Sequence, residues 1–169
     1  NDSSDDGSSG DGSSDDGSSD SDSSDSSDNN TDPPGIITSN TYYIDYDNNT
    51  ISKIPVETTI LEFKENINYE GYTAVFTNRF GRNQSSGYIC TGSKVLFLLN
   101  NKVHYKFTFI VTGDITGNGL CDSRDFNALY DHLLNKKPLS GVYLAAADLN
   151  GDNEVNTTDL LLLKKQLYT

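Results

Sequence analysis

Asp114-Ile-Thr-Gly-Asn-Gly-Leu-Cys-Asp-Ser-Arg-Asp125 and Asp148-Leu-Asn-Gly-Asp-Asn-Glu-Val-Asn-Thr-Thr-Asp159 are two copies of one twelve-residue pattern, offset by 34 residues. Each places oxygen-bearing side chains at positions 1, 3, 5, 9 and 12, the spacing with which an EF-hand-type loop surrounds a hard cation. An apolar helical stretch follows each copy. The pattern points to a binding module whose fold depends on calcium, and not to an enzyme.

More than the oxygens repeats. Ile115 aligns with Leu149, Gly117 with Gly151, Cys121 with Val155, Phe126 with Leu160, Leu129 with Leu163 and Leu133 with Leu167. Two such units make a small core, and modules of this size need a staple, so metal binding and folding should be coupled. The first loop offers Asp114, Thr116, Asn118, the Leu120 carbonyl, Asp122 (directly or through water) and Asp125. The second offers Asp148, Asn150, Asp152, the Glu154 carbonyl, Asn156 through water, and Asp159. Position 6 requires a sharp turn, supplied by Gly119 in one copy and by Asn153 in the other. Thr116 and Asn118 give the first loop weaker ligands than Asn150 and Asp152 give the second, so the first site is expected to be the weaker.

The duplicated motif resembles the dockerin family, the modules that plug secreted proteins into cohesin modules of bacterial multienzyme scaffolds such as cellulosomes. Gly113-Asp114-Ile-Thr-Gly-Asn-Gly and Ala147-Asp148-Leu-Asn-Gly-Asp carry the resemblance, with Asp125-Phe126 and Asp159-Leu160 opening the helices. It covers Thr112 to Thr169 and implies three helices, two calcium loops binding two Ca2+ ions, and near-twofold symmetry. It also implies partner-facing residues at loop positions 10 and 11 and on the following helix. These are Thr157, Thr158, Lys164 and Lys165 in the second repeat, and Ser123, Arg124, Tyr130 and Asp131 in the first. The two sets differ in chemistry, so one dominant binding orientation is expected.

Upstream, Tyr42 to Val111 alternates at the period of strands. Tyr42–Tyr46 and Ile51–Ile54 flank the turn-forming Asp47-Asn48-Asn49, which predicts a hairpin. Thr59-Ile-Leu-Glu62 is a capping-box pattern, and Ile60, Phe63 and Ile67 fall on one helical face. Strands are expected at Tyr72–Thr77, Gly87–Cys90 and Val95–Leu99. From Val103 to Val111, odd-numbered apolar residues alternate with His104, Lys106 and Thr108. The sum is α+β: a small ββαβββ-like module over 35–111, packed directly on the all-α calcium module at 112–169. Only Thr112 and Gly113 separate the two, too few for a flexible tether. The β module is similar to the X modules that precede some dockerins, which implies a stabilising companion.

The first 34 residues have a different character. Eleven of the 25 acidic residues lie within the first 32 positions, among Ser and Gly, with no basic, aliphatic or aromatic residue. Such a segment has no apolar surface to offset the entropy of ordering, and it reads as a disordered linker spanning on the order of 30 Å. The rest of the chain is nearly neutral, with no basic field for nucleic acid. No stretch approaches a membrane span. The chain starts inside the Ser/Asp segment, so it reads as the C-terminal piece of a larger secreted protein, a monomer when unbound.

Other functions fit less well. His104 and His132 are the two histidines; neither belongs to a triad or metal-ligand pattern, and both are expected on the surface. The alternative for the β module is carbohydrate binding, with Tyr42, Tyr43, Tyr46, Tyr72 and Tyr88 as a stacking platform, although the chain lacks Trp. A calcium sensor would expose a Met-rich groove, and the chain has no Met. Spacing leaves open whether Cys90 and Cys121 are core residues or a disulfide.

Overall fold

Alternating Val, Leu and Phe from Lys94 to Leu99 and the ten-residue run from Lys102 to Val111 build the centre of the molecule. The computed structural model describes residues 35–168. The linker expected over residues 1–34 lies outside them. The elements are β1 (Tyr43–Asp45), β2 (Thr50–Ile54), α1 (Ile60–Glu65), β3 (Thr73–Thr77), β4 (Asn83–Gln84), β5 (Lys94–Leu99), β6 (Lys102–Val111), α2 (Ser123–Leu133), α3 (Gly141–Ala146) and α4 (Thr157–Leu167). The fold is α+β, with a six-stranded sheet and four helices among the described residues.

The sheet order is β1-β2-β6-β5-β3-β4, with β2 parallel to β6 and the other neighbours antiparallel. β1 and β2 form the expected hairpin. Asn49 takes a left-handed φ of 53°, and Asp45 accepts from the Asn48 N–H at 2.9 Å. A two-residue turn cannot join parallel strands, so α1 and the β3–β5 excursion carry the chain from β2 to β6. Thr59 caps α1 by accepting from the Glu62 N–H at 3.1 Å, as its sequence pattern anticipates.

α1 supplies the residue around which the β core is organised. The Phe63 ring stacks on Tyr42 at 5.0 Å and meets Phe109 and Phe76 edge-on at 5.0 and 5.8 Å. Ile51, Ile54, Ile60, Val95, Phe97, Phe107 and Val111 complete an interior from which water is excluded. Val103 does not follow the expected alternation. It is exposed at the far end of β6, beyond the register shift where β5 passes from Phe97 to Leu98.

One expectation and one alternative fail here. Gly87–Cys90 does not join the sheet; Tyr88 makes a single bridge to Thr59, and the Ile89 N–H donates to the Thr58 carbonyl at 2.8 Å. The edge strand is Asn83–Gln84 instead, and four strands follow α1, one more than the ββαβββ-like pattern expected, which makes the order before the C-terminal helices ββαββββ. The reason is the turn at Cys90–Ser93, where the Ser93 hydroxyl donates to the Cys90 carbonyl at 2.6 Å and the chain folds back before β5. The five tyrosines do not make a common platform either. Tyr42 and Tyr72 are buried, and Tyr43 lies under the Lys53 ammonium.

A second core forms among α2, α3 and α4 from Ile115, Leu129, Ala147 and Leu163, with Cys121, Phe126, Leu133, Leu149, Val155 and Leu160 packed around them. α2 packs against α4, and α3 lies along β6. Phe63→Ala should remove the ring shared by α1, β3 and β6 at a cost of about 3–5 kcal/mol. Urea unfolding of the variant should show that loss as a lower midpoint with an unchanged slope.

Candidate metal centres

Position 12 closes each loop on itself. Asp125 accepts from the Thr116 N–H at 2.7 Å with one oxygen and from the Asp122 N–H at 2.9 Å with the other. Asp159 does nearly the same, accepting from the Asn156 N–H at 2.9 Å and, at the start of its loop, from the Leu149 N–H at 2.9 Å and the Asn150 N–H at 3.4 Å. One carboxylate thus joins the start of its loop to the start of the next helix. Position 9 completes a capping box in both copies: Asp122 accepts from the Arg124 N–H, and Asn156 accepts from the Thr158 N–H. The residue type differs, but the cap needs only a side-chain oxygen.

Position 1 turns the loop. Asp114 accepts from the N–H groups of Asn118 and Gly119 at 2.8 and 3.0 Å, and Asp148 accepts from those of Gly151 and Asn153 at 2.7 and 2.9 Å. Position 5 accepts from position 7 in each: Asn118 from Leu120, and Asp152 from Glu154, both at 2.8 Å. Position 6 adopts the required left-handed backbone, with φ of 85° at Gly119 and 67° at Asn153. Chemically different side chains therefore fold into closely similar hydrogen-bond schemes, offset by one residue in one donor to position 1 and one donor to position 12.

Electrostatics favour a cation in these loops. Asp114, Asp125 and Asp159 are fully buried. The donors to Asp114 and Asp125 are neutral N–H and O–H groups: Thr91, Asn118 and Gly119 for the first, Thr116 and Asp122 for the second. Burying anions is costly, and the exposed Arg124 guanidinium, which attracts Asp125 and Asp114 without bonding them, offsets only part of that cost. Burial raises the Asp114 carboxyl above its ordinary value, three backbone N–H groups oppose that rise, and the nearby Asp125 charge adds to it. Burial also pushes the Cys121 thiol up to about 11, reinforced by the carboxylates of Asp125, Asp122 and Asp114.

The donor set is hard oxygen, which suits Ca2+ and not a soft metal. Among the described residues no three His, Cys, Asp or Glu side chains gather into one metal cluster. The loops would instead draw ligands from Thr116, Asn118, Asn150, Asn156 and the Leu120 and Glu154 carbonyls. Asp122 is also held aside. Both its oxygens face the Arg124 guanidinium, whose hydrogen bonds keep its carboxyl below the usual range. The residues present fit calcium by chemistry, with Asp122 the ligand that must move or act through water.

The residues at loop positions 10 and 11 and on the helices sit on accessible surface. Thr157, Thr158, Lys164 and Lys165 are exposed on α4, beside exposed Leu161 and Leu162. Ser123, Arg124 and Tyr130 are exposed on α2, with Asp131 half-buried. Tyr130 stacks on Phe126 at 6.4 Å and carries the Lys136 ammonium over its ring at 6.0 Å. The apolar pair Leu161 and Leu162 was absent from the sequence-derived set; their place in the run Leu160–Leu163, longer than one buried face needs, was the available signal.

Neither thiol is in a disulfide: Cys90 and Cys121 are both free. His104 is exposed as expected. His132 is not a bystander. It is half-buried, and its Nδ1 accepts from the Leu139 N–H at 3.0 Å, which holds the connection from α2 to α3.

Arg79 is the residue that sequence reasoning missed. Its guanidinium donates to the carbonyls of Thr116 and Gly117 in the first loop, the latter at 3.0 Å. The Phe80 ring covers that guanidinium at 4.9 Å. Nothing local in the sequence marks Arg79, because its partner lies 37 residues away.

Residues 112–168 match the family model of the dockerin type I domain, the same stretch that holds both loops and α2 to α4. No curated protein and no solved structure matches the chain.

Proposed function

We propose that residues 112–168 form a calcium-dependent cohesin-binding module. It anchors a larger secreted protein to a scaffold of a multienzyme complex that degrades polysaccharide. One observation carries this reading. The stretch that matches the dockerin type I model is the stretch in which two loops build closely similar hydrogen-bond schemes around buried carboxylates whose hydrogen-bond donors are neutral. A Ca2+ ion in each loop would supply the missing positive charge and fix α2 and α4 against each other. The partner then reads the helix surfaces set by that packing.

Thr157, Thr158, Lys164 and Lys165 are the contacts we assign to the dominant orientation, with Ser123, Arg124, Tyr130 and Asp131 as the weaker counterpart. A hydroxyl pair followed by basic residues suits an acidic, hydrogen-bonding partner surface. In the first repeat, Arg124 is committed to Asp122, and Tyr130 is stacked on Phe126. The β module over 35–111 serves as an X-module-like support. Among the described residues no helix is long and apolar enough to cross a membrane.

Asp148→Ala combined with Asp159→Ala should destroy the second loop and reduce cohesin affinity at least about 100-fold, the scale expected when buried charged ligands are lost. Unchanged binding in a surface-plasmon assay would refute a calcium-built interface. Alanine at Thr157, Thr158, Lys164 and Lys165 together should keep the circular dichroism spectrum and weaken binding by at least about 10-fold. Greater damage from alanine at Ser123, Arg124, Tyr130 and Asp131 would reverse the orientation.

A further inference from the structure

The two loops have closely similar internal schemes but different surroundings. In the first, Gly113, Asp114, Ile115, Gly117 and Gly119 are buried; in the second, Asn150, Gly151, Asp152, Asn153 and Glu154 are exposed. Gly117 and Gly151 stand at the same loop position. A Cβ on Gly117 would lie 2.6 Å from the Thr91 carbonyl oxygen and 3.2 Å from both Arg79 Nη1 and a Tyr143 ring carbon. A Cβ on Gly151 would meet nothing within 4 Å. At position 6, a Cβ on Gly119 would lie 3.0 Å from Cys90 Sγ and 3.0 Å from Tyr88 Cβ. The first loop is pressed into a seat made by the segment 88–92, the stretch that left the sheet.

Hydrogen bonds reinforce this contact at three points. The Thr91 N–H donates to Asp114 Oδ2 at 2.9 Å, so the β module itself orients the position-1 carboxylate. The Glu57 N–H donates to the Gly119 carbonyl at 3.2 Å, from a left-handed backbone with φ of 62° that glutamate seldom adopts. Arg79 holds the Thr116 and Gly117 carbonyls. Thr91 is itself fixed, its hydroxyl bonded to both the carbonyl and the N–H of Val111 at the end of β6. The hydrogen bonds described for the second loop stay within residues 148–159, apart from the helical bond of the Leu160 N–H to the Asn156 carbonyl at 3.4 Å.

We infer that Arg79, Thr91 and Glu57 are positioning residues for the first calcium loop, holding it in its ligand-presenting shape whether or not calcium is bound. The inference rests on the calcium reading above. The β module has then already ordered the first loop, whereas the second relies on the ion for that ordering. Calcium removal opens the second loop and the start of α4 and leaves the first loop closed. The same ordering offsets the poorer ligands Thr116 and Asn118. Affinity is not the best readout, since removing Arg79 removes a positive charge near the site along with a tether.

Amide hydrogen exchange of the full chain, in saturating calcium and in EGTA, tests the inference. With calcium initially at 100 times its dissociation constant, amides of residues 150–158 should exchange about 100-fold faster after chelation. Amides of residues 116–120 should change by less than about 3-fold. In Arg79→Ala, the first loop should accelerate in EGTA as the second does, while protection in β5 and β6 shows the sheet intact. Equal acceleration of both loops in the unmodified chain would overturn the positioning role and leave the calcium reading standing. No change in either loop would overturn the calcium reading itself. A first loop that stays protected in Arg79→Ala would remove Arg79 from the assignment, and the comparison in the unmodified chain decides the rest if that variant does not fold.

Discussion

The Asp114 carboxylate is where the two halves of the chain meet. It is fully buried and accepts one N–H from the β module, Thr91, and two from its own loop, Asn118 and Gly119. A buried carboxylate of this kind demands compensation, and backbone donors supply only part of it. A hard cation, which the oxygen donor set of the loop suits, would supply the rest. The same carboxylate therefore ties together the seat at 88–92, the turn at Gly119 and the proposed metal.

Ordering a loop residue costs on the order of 1–2 kcal/mol of conformational entropy. For a module of two short loops and three helices that cost competes directly with a small core. The chain meets it in two ways. The second loop closes only on its own hydrogen bonds and on Asp159, while the first borrows Arg79, Thr91 and Glu57 from a neighbouring sheet. Internal sequence symmetry thus coexists with an asymmetric environment.

The local features were legible in the sequence because they depend on residues a few positions apart. The loops, their helices, the Thr59 cap and the β1–β2 turn all follow from short-range spacing. The parallel pairing of β2 with β6 and the role of Arg79 were not, since each joins residues far apart along the chain. Gly87–Cys90 has strand-like residues, but its partners are Thr58–Ile60 and the loop that opens at Asp114, not a sheet edge. One signal was available: Gly119 stands where the second repeat has Asn153. Both residues meet the backbone demand of that position, so the absence of a side chain at Gly119 marks close approach by something else.

Isothermal titration of the metal-free chain with calcium tests the central claim most directly, at an ionic strength that screens the Asp-rich N-terminal segment. Saturable binding of two ions per chain is the expected result, abolished when Asp114 and Asp148 are both replaced by Ala. No saturable uptake at millimolar calcium, or uptake that survives the double replacement, would contradict it.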